Sequence, residues 1–346
     1  MRASAPSFPL DRTFHDLFEE QVDKSPDATA VVHGGRSLSY RALDERANRT
    51  ARALVAEGVS RGDFVGILKA RGVDFLTAIL AIFKAGAAYV PLDPTYPKER
   101  LGVMLDDSRV SVLLSDTETL AAYGACVAGT QVRTVLLLEN GSGDVRLGGA
   151  AGALKLVAAS TIESLSSARL GLSMTGADRA YMIYTSGSTG RPKGAICRHD
   201  GALNHLYGEL FGLEIEGPFG FLQSAASSSD ISVWQFLGPV LTGGQTVIVD
   251  HETVIDPVLL FSAIRDPRVT LVELIPVVLR GLIDHVATLT RSERALPSLH
   301  CMMATGDALP VDVVNRWLAL YPDIPVANTY GPTEACLLYT SDAADE

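Results

Sequence analysis

Residues 179–194 read RAYMIYTSGSTGRPKG, an apolar run that breaks into a loop of small residues. Arg179 to Tyr184 has the length and composition of a buried strand. Thr185 to Gly194 holds three glycines, two serines and two threonines, with Pro192 and Lys193 near its end. Glycine lets the backbone reach positive φ and lets a ligand come close. Inward N–H groups and hydroxyls make a concave donor surface for phosphate oxygens. Lys193 adds a mobile positive charge suited to a triphosphate. A loop at a strand end is also where open α/β sheets place their ligands. Yet the same residues describe an ordinary Gly/Ser turn. The common phosphate-loop pattern G-x-x-x-x-G-K-S/T is not matched, because Pro192 precedes Lys193 and Gly194 follows it. On these residues alone, both readings stand.

Working outward, strand-like runs alternate with helix-like ones. TAVVHGG (29–35), DFVGILKA (63–70), AAYVPLD (87–93), VSVLLSD (110–116), TVLLLEN (134–140), QTVIVD (245–250) and RVTLVELIP (268–276) read as buried strands. Between them, Tyr40 to Leu54 places Leu43, Ala47 and Leu54 on one helical face, with Arg and Glu opposite. Gly58 is expected to cap that helix. Val73 to Lys84 reads as a more fully buried helix stopped by Gly86, and Pro97 as the first residue of another. The alternation predicts an α/β fold of layered sheets with helices on both faces. Residues 141–154, rich in glycine and alanine, are expected as an exposed loop inside the domain.

The 346 residues suffice for one large domain or two, and nearly half are hydrophobic. A net charge of −11 argues against nucleic acid or an anionic membrane as partner, though not against a local basic site. The longest apolar run, Phe75 to Phe83, stops at Lys84 and is too short to span a bilayer. The N-terminus lacks the apolar segment of an export signal. The four cysteines show no ligand-like spacing, as in reduced thiols of a cytoplasmic protein.

Six motifs stand in one order: LSYRALDERANRTARAL (38–54), FKAGAAYVPLDPTYPKERL (83–101), YTSGSTGRPKG (184–194), SSDISVWQFLGPVLTGGQTVIV (228–249), MMATGDAL (302–309) and NTYGPTEAC (328–336). The series resembles the adenylation domains of nonribosomal peptide synthetases, within the adenylate-forming, AMP-binding superfamily. The resemblance runs from about Thr13 to Cys336. It implies the large N-terminal subdomain of an adenylate-forming enzyme, with residues 1–12 a leader, 13–336 the core and 337–346 a tail unlike the family. It also implies a ligase that uses ATP and Mg²⁺. A carboxylate attacks the α-phosphate, giving an acyl-adenylate and pyrophosphate, and the acyl group then passes to the phosphopantetheine of a carrier protein. Such chemistry asks for positioning and charge neutralisation more than for a strong base.

By this resemblance Thr185, Ser186, Gly187, Ser188, Thr189, Gly190 and Lys193 cradle the β- and γ-phosphates. Tyr330 packs on adenine, Asn328 hydrogen-bonds its edge, and Gly306 admits the base close to the backbone. Thr333 and Glu334 contact the α-phosphate and Mg²⁺, a carboxylate being a suitable hard ligand for that ion. Thr185, Lys193, Thr333 and Glu334 form the expected catalytic set. A helix N-terminal sequence is the other account of Thr333-Glu334.

Asp230 matches the acidic residue with which the family pairs the α-ammonium of an amino acid, a group that fatty-acyl and aryl ligases do not need. Its competing account is a local cap in a serine-rich loop. Ile231, Trp234, Glu273, Met303, Thr305 and Thr329 are carried over as pocket residues. Trp234 and Met303 equally suit packing. Glu273, an acid in the apolar run TLVELIPVVL, is costly to bury alone, and an amine or guanidinium on the substrate would relieve that cost. A basic or otherwise polar amino acid is therefore expected.

The sequence departs from the family at Ser229, where an aromatic residue usually precedes the aspartate, and after Cys336, where LLYTSDAADE replaces the usual pocket strand. The tail is expected to be foreign, with Leu337 and Leu338 no part of the pocket. The ribose-binding segment, hinge and lid with its catalytic lysine are not among these residues, so weak or absent turnover is expected from this stretch alone. Two alternatives stay open: an acyl- or aryl-CoA ligase, against which Asp230 argues, and a non-catalytic fragment that binds nucleotide or amino acid.

Overall fold

The computed structural model describes residues 8–139, 154–185, 192–331, 333 and 339–342, the last four by backbone alone. The chain begins with α1 (Phe14–Lys24), the antiparallel pair β1 (Thr29–His33) and β2 (Arg36–Ser39), and α2 (Tyr40–Ala56). Strict alternation follows: β3 (Phe64–Leu68), α3 (Val73–Lys84), β4 (Ala88–Leu92), α4 (Lys98–Ser108), β5 (Val112–Ser115), α5 (Thr117–Ala128) and β6 (Thr134–Leu137). Next come β7 (Lys155–Val157), α6 (Ala159–Glu163), β8 (Arg179–Thr185), β9 (Lys193–Arg198) and α7 (His199–Gly212). Then β10 (Gly220–Gln223), α8 (Asp230–Leu241), β11 (Gln245–Ile248), α9 (His251–Ile255), α10 (Pro257–Ile264) and β12 (Leu271–Leu274). The last elements are α11 (Pro276–Val286), β13 (Cys301–Ala304), α12 (Val311–Leu320), β14 (Val326–Tyr330) and β15 (Tyr339–Asp342). Each of the seven runs read as strands contains one.

Two compact units result. The first comprises Met1–Glu20, Asp44–Ala70 and Thr77–Gly208; the second comprises Gln21–Leu43, Arg71–Leu76 and Glu209–Glu346. The first carries the sheet β7-β6-β5-β3-β4-β8-β9, parallel except for the β8–β9 pair. The second carries β15-β14-β13-β12-β10-β11-β1-β2, parallel from β14 to β1 and antiparallel at both ends. Every position of β4, β5, β6, β12 and β13 is buried. Such uniformly buried strands belong to parallel sheets covered on both faces, so the layered α/β architecture is the one observed.

Local signals explain the helix ends. In α1, Thr13 and Asp16 exchange bonds: the Thr13 amide and hydroxyl donate to Asp16 Oδ2 at 3.0 and 2.7 Å, and the Asp16 amide donates back to Thr13 Oγ1 at 3.3 Å. This is the reciprocal logic of a capping box. In α2, Leu43, Ala47 and Leu54 are buried as their spacing requires. Gly58 takes φ +88°, and the Val59 amide reaches back to the Leu54 carbonyl, closing the last turn. Pro97 corrects one expectation: it is the N-cap, with an extended ψ of 142°, and the helix begins at Lys98.

Residues of the expected leader pack from Phe8, whose ring stacks on Tyr207 at 5.5 Å. The glycine-rich stretch 141–154 lies outside the described residues except for Leu154. Residues 339–342 of the tail pair antiparallel with β14, Thr340 opposite Thr329. No helix among the described residues is long and apolar enough to cross a membrane.

Lys84 does more than end an apolar run. Only 3% exposed, it bonds Glu19 and lies 2.7 Å from Asp44 Oδ1, while Arg169 reaches both acids at 3.3 and 3.6 Å. A buried ammonium needs such partners.

Candidate nucleotide and substrate site

In the first unit, β8 and β9 form a hairpin in which Thr185 and Lys193 are register partners. The strands that flank residues 186–191 are thus an antiparallel pair, unlike the strand-then-helix arrangement around the common phosphate loop. Thr185 is half-buried and Lys193 is exposed. Ser186, Gly187, Ser188, Thr189 and Gly190 lie outside the described residues. The strand before these residues is anchored at Tyr184, whose hydroxyl donates to Asp107 Oδ2 at 2.7 Å and lies 3.2 Å from the Met104 carbonyl. Burial and then the Asp107 carboxylate push that phenol well above its ordinary pKa.

In the second unit, the remaining expected residues that are described lie on β12, β13, β14 and the start of α8, or just after these strands. These are adjacent parallel strands, so their carboxyl ends share one edge. Register sets Glu273 opposite Met303 and Ala304 opposite Asn328. Asp230 opens α8 just beyond the end of β10. Sequence alone does not order strands, so this gathering is a tertiary result.

Asp230 is half-buried and is not the helix cap; that role belongs to Ser229, whose hydroxyl accepts from the Ile231 amide at 3.3 Å. Asp230 Oδ1 accepts from the same amide at 2.9 Å and from the Ser229 hydroxyl at 3.3 Å. Its Oδ2 accepts from the Thr333 hydroxyl at 2.8 Å. Thr333, expected at the α-phosphate, therefore bonds the expected ammonium anchor.

Glu273 is buried on β12, and its carboxyl accepts from Thr329 Oγ1 at 3.1 Å and from Gln235 Nε2 at 3.5 Å. Burial first, then the neighbouring Glu209, push it up to about 8. Thr329 Oγ1 also lies 3.1 Å from the Ala304 carbonyl, yet a hydroxyl has one proton for these two acceptors. A protonated Glu273 resolves the conflict by donating to Thr329. Protonation is one way to relieve the cost of burying this acid.

Two residues escaped the sequence reading. Gln235, fully buried on α8, accepts from the Ser224 and Ala225 amides, each at 2.9 Å, and donates to the Glu273 carbonyl at 3.4 Å. It pins the loop between β10 and Asp230; a glutamine inside the apolar stretch VWQFLGPVL was the available signal. Glu209, near the end of α7, is buried and pushed up to about 7. Trp234 packs on Phe221 and Phe219 at centroid distances of 5.2 and 5.8 Å, and Met303 is fully buried. Ile231 is half-buried in the first turn of α8.

The nucleotide residues of the second unit fit their expected ligand. Tyr330 is 72% exposed, leaving a ring face for a base. Gly306 takes φ +82°, and a Cβ there would lie 3.2 Å from Ile275, so a larger residue would be both strained and crowded. Beside it, the Thr305 hydroxyl is buried with no hydrogen-bond partner among the described residues. Such an orphan needs a reason, and a bound polar group supplies one. Asn328 is half-buried on β14. Glu334 lies outside the described residues, and those residues contain no acid, histidine or cysteine cluster that could hold a metal ion.

The AMP-binding enzyme family model matches residues 18–346. The chain belongs to the AMP-binding enzyme family. Among its relatives, this AMP-binding chain is 34% identical over 333 residues to tyrocidine synthase 3 of Brevibacillus parabrevis, covering 96% of the chain and 5% of that protein. It is 33% identical over 334 residues to gramicidin S synthase 1 of Brevibacillus brevis, covering 96% of the chain and 27% of the relative. The chain thus spans a minor part of these proteins. Among solved structures, the nonribosomal peptide synthetase FmoA3 (S1046A) superposes with a TM-score of 0.80 at 27% identity, over 98% of this chain and 34% of that one. Its AMPPNP-bound form gives 0.80 at 26% identity, over 99% and 34%.

Proposed function

We propose that this AMP-binding chain activates an amino acid as its aminoacyl-adenylate, using ATP, for transfer to a phosphopantetheine carrier protein in nonribosomal peptide synthesis. The observation that carries this reading is Asp230. Its carboxylate stands in the same unit as Asn328, Tyr330 and Gly306, and Oδ2 takes one described donor, leaving capacity for an ammonium. The synthase relatives and the AMPPNP-bound neighbour support the same reading. In it, Asp230 holds the α-ammonium, Tyr330 and Asn328 hold adenine, and Thr185 to Gly190 with Lys193 hold the β- and γ-phosphates. Thr333 and Glu334 face the α-phosphate, Glu334 as the Mg²⁺ ligand. A bound Mg²⁺ would neutralise charge on the phosphate oxygens. Positioning by this chain's own residues does the rest. The place of action is the cytoplasm.

Glu273 and Thr329 face the substrate side chain, which we infer to be polar or basic. A cation reaching Glu273 would re-ionise it and expel its proton; a neutral donor would bond to the protonated acid.

The test is ligand binding to this chain by thermal stability, with a panel of nonhydrolysable aminoacyl-sulfamoyl-adenosines and matched fatty-acyl analogues. A ligand specific for the folded form stabilises by about 2.7 kcal/mol at a hundredfold excess over Kd. One amino-acid analogue is expected to shift the melt selectively, and Asp230→Asn to abolish the selectivity. A fatty-acyl preference would turn the reading to an acyl-CoA ligase. No shift with any analogue would leave only a non-catalytic remnant. Calorimetry in two buffers of different ionisation enthalpy checks the side chain: a basic analogue is expected to release a proton, and a neutral polar one none.

A further inference from the structure

The loop that leads into Asp230 is held at several backbone groups. The Ser224 and Ala225 amides are fixed by Gln235, and the Ser229 amide donates to the Ala226 carbonyl at 2.9 Å. The Ser229 carbonyl accepts from the Ser232 amide at 3.1 Å and the Ser232 hydroxyl at 2.6 Å; that hydroxyl also lies 3.1 Å from the Ser227 carbonyl. With the main chain so constrained, the freedom left at the anchor is the torsion of the Asp230 side chain.

That torsion is controlled at Oδ1. The Ser229 hydroxyl has one proton and two lone pairs. It spends a lone pair on the Ile231 amide as the helix cap, and so its proton turns to Asp230 Oδ1 at 3.3 Å. The contact is long for an O–H···O bond, and orients more than it binds. With the Ile231 amide at 2.9 Å, Oδ1 has two donors, while Oδ2 has the Thr333 hydroxyl as its one partner among the described residues. Oδ2 is thereby the oxygen with more acceptor capacity left.

We propose that Ser229 is a positioning residue, its hydroxyl fixing the Asp230 carboxylate so that Oδ2 receives the substrate's α-ammonium. This rests on the assignment of Asp230 as the ammonium anchor. It gives the serine at this position a role in amino-acid selectivity that an aromatic side chain, with no hydroxyl, could not perform.

The probe is the aminoacyl-sulfamoyl-adenosine that binds this chain most tightly, paired with its des-amino counterpart, each titrated by calorimetry. Asp230→Asn comes first, and should weaken the amino analogue alone; equal loss on both probes removes the anchor itself. Given that discrimination, Ser229→Gly isolates the hydroxyl, because glycine caps a helix nearly as well as serine. Ser229→Gly is expected to weaken the amino analogue about tenfold and leave the des-amino analogue unchanged. Ser229→Thr, which restores a hydroxyl, is expected to recover the selectivity. An equal loss on both probes in Ser229→Gly, or no loss on either, overturns the proposal while leaving Asp230 in place. Should the glycine variant not fold, Ser229→Thr beside Ser229→Ala decides it by the same ratio.

Discussion

At the scale of single residues, the protonation of Glu273 governs how the stability of its strand depends on pH. An ordinary glutamate, near 4.5 in the unfolded chain, is pushed up to about 8 by burial in the fold. Between those values the folded state holds a proton that the unfolded state has lost, so stability falls as pH rises through this window. Glu273→Gln keeps the hydrogen-bonding shape without the ionisation. Its stability relative to the parent is therefore expected to improve steadily from about pH 5 to about pH 8, as read by urea denaturation at several pH values. A constant difference would mean that Glu273 stays ionised in the fold. The sequence marks this acid as costly to bury alone, a cost that a substrate cation would relieve. The one-proton conflict at Thr329 depends on two atoms from different strands, which no local pattern reveals.

At the scale of elements, α3 joins the core through a charge. Its run from Val73 to Phe83 is apolar enough to be buried on all sides, and its last residue, Lys84, is drawn in with it. Glu19 from α1 and Asp44 from α2 meet it there, so one ammonium ties three helices together. Removing one partner of a buried ion pair leaves an uncompensated charge, at a cost of about 3–5 kcal/mol. Lys84→Met is expected to lose the lower part of that range, because Arg169 remains beside both acids. Denaturant unfolding checks this, and a change below about 1 kcal/mol, as for an exposed pair, would contradict it. A second element-scale expectation concerns α8. Gln235→Ala removes the bonds to Ser224 and Ala225, leaving the buried Ser224 amide without that acceptor at about 1–3 kcal/mol, and should appear as faster amide exchange at both residues.

At the scale of the whole molecule, the two units carry buried ionisable groups of opposite consequence. In the first, burial pushes His15 down to about 4, with Asp16 partly opposing, and His199 down to about 3. Below the ordinary histidine pKa the unfolded chain takes up protons that the folded unit refuses, so acid weakens this unit. In the second, Glu209 and Glu273 are pushed up to about 7 and about 8, and acid strengthens the fold because unfolding must release the protons these groups hold. Lowering the pH from about 6.5 to about 4.5 is therefore expected to raise the opening rate of β3, β4 and β5 and to lower that of β12 and β13, after correction for intrinsic exchange. Hydrogen exchange by mass spectrometry reads both at once. Parallel changes in the two units would remove the assignment.

The sequence by itself determined eight of the strands and the ends of α2 and α3, because these rest on local physics: apolar runs of strand length, the 3.6-residue stripe of α2, and glycine at a positive-φ cap. It also determined the family, because six motifs in order specify a common ancestor more tightly than any one of them specifies a ligand. Only the tertiary structure decided which strands are neighbours, and hence that Glu273, Met303, Asn328 and Asp230 gather along one edge. It alone showed that Lys84 is buried, that Gln235 fixes the loop before Asp230, and that Ser229 caps the helix and turns its proton to the carboxylate. Those outcomes depend on atoms far apart in the chain, where burial and hydrogen-bond satisfaction are settled by packing.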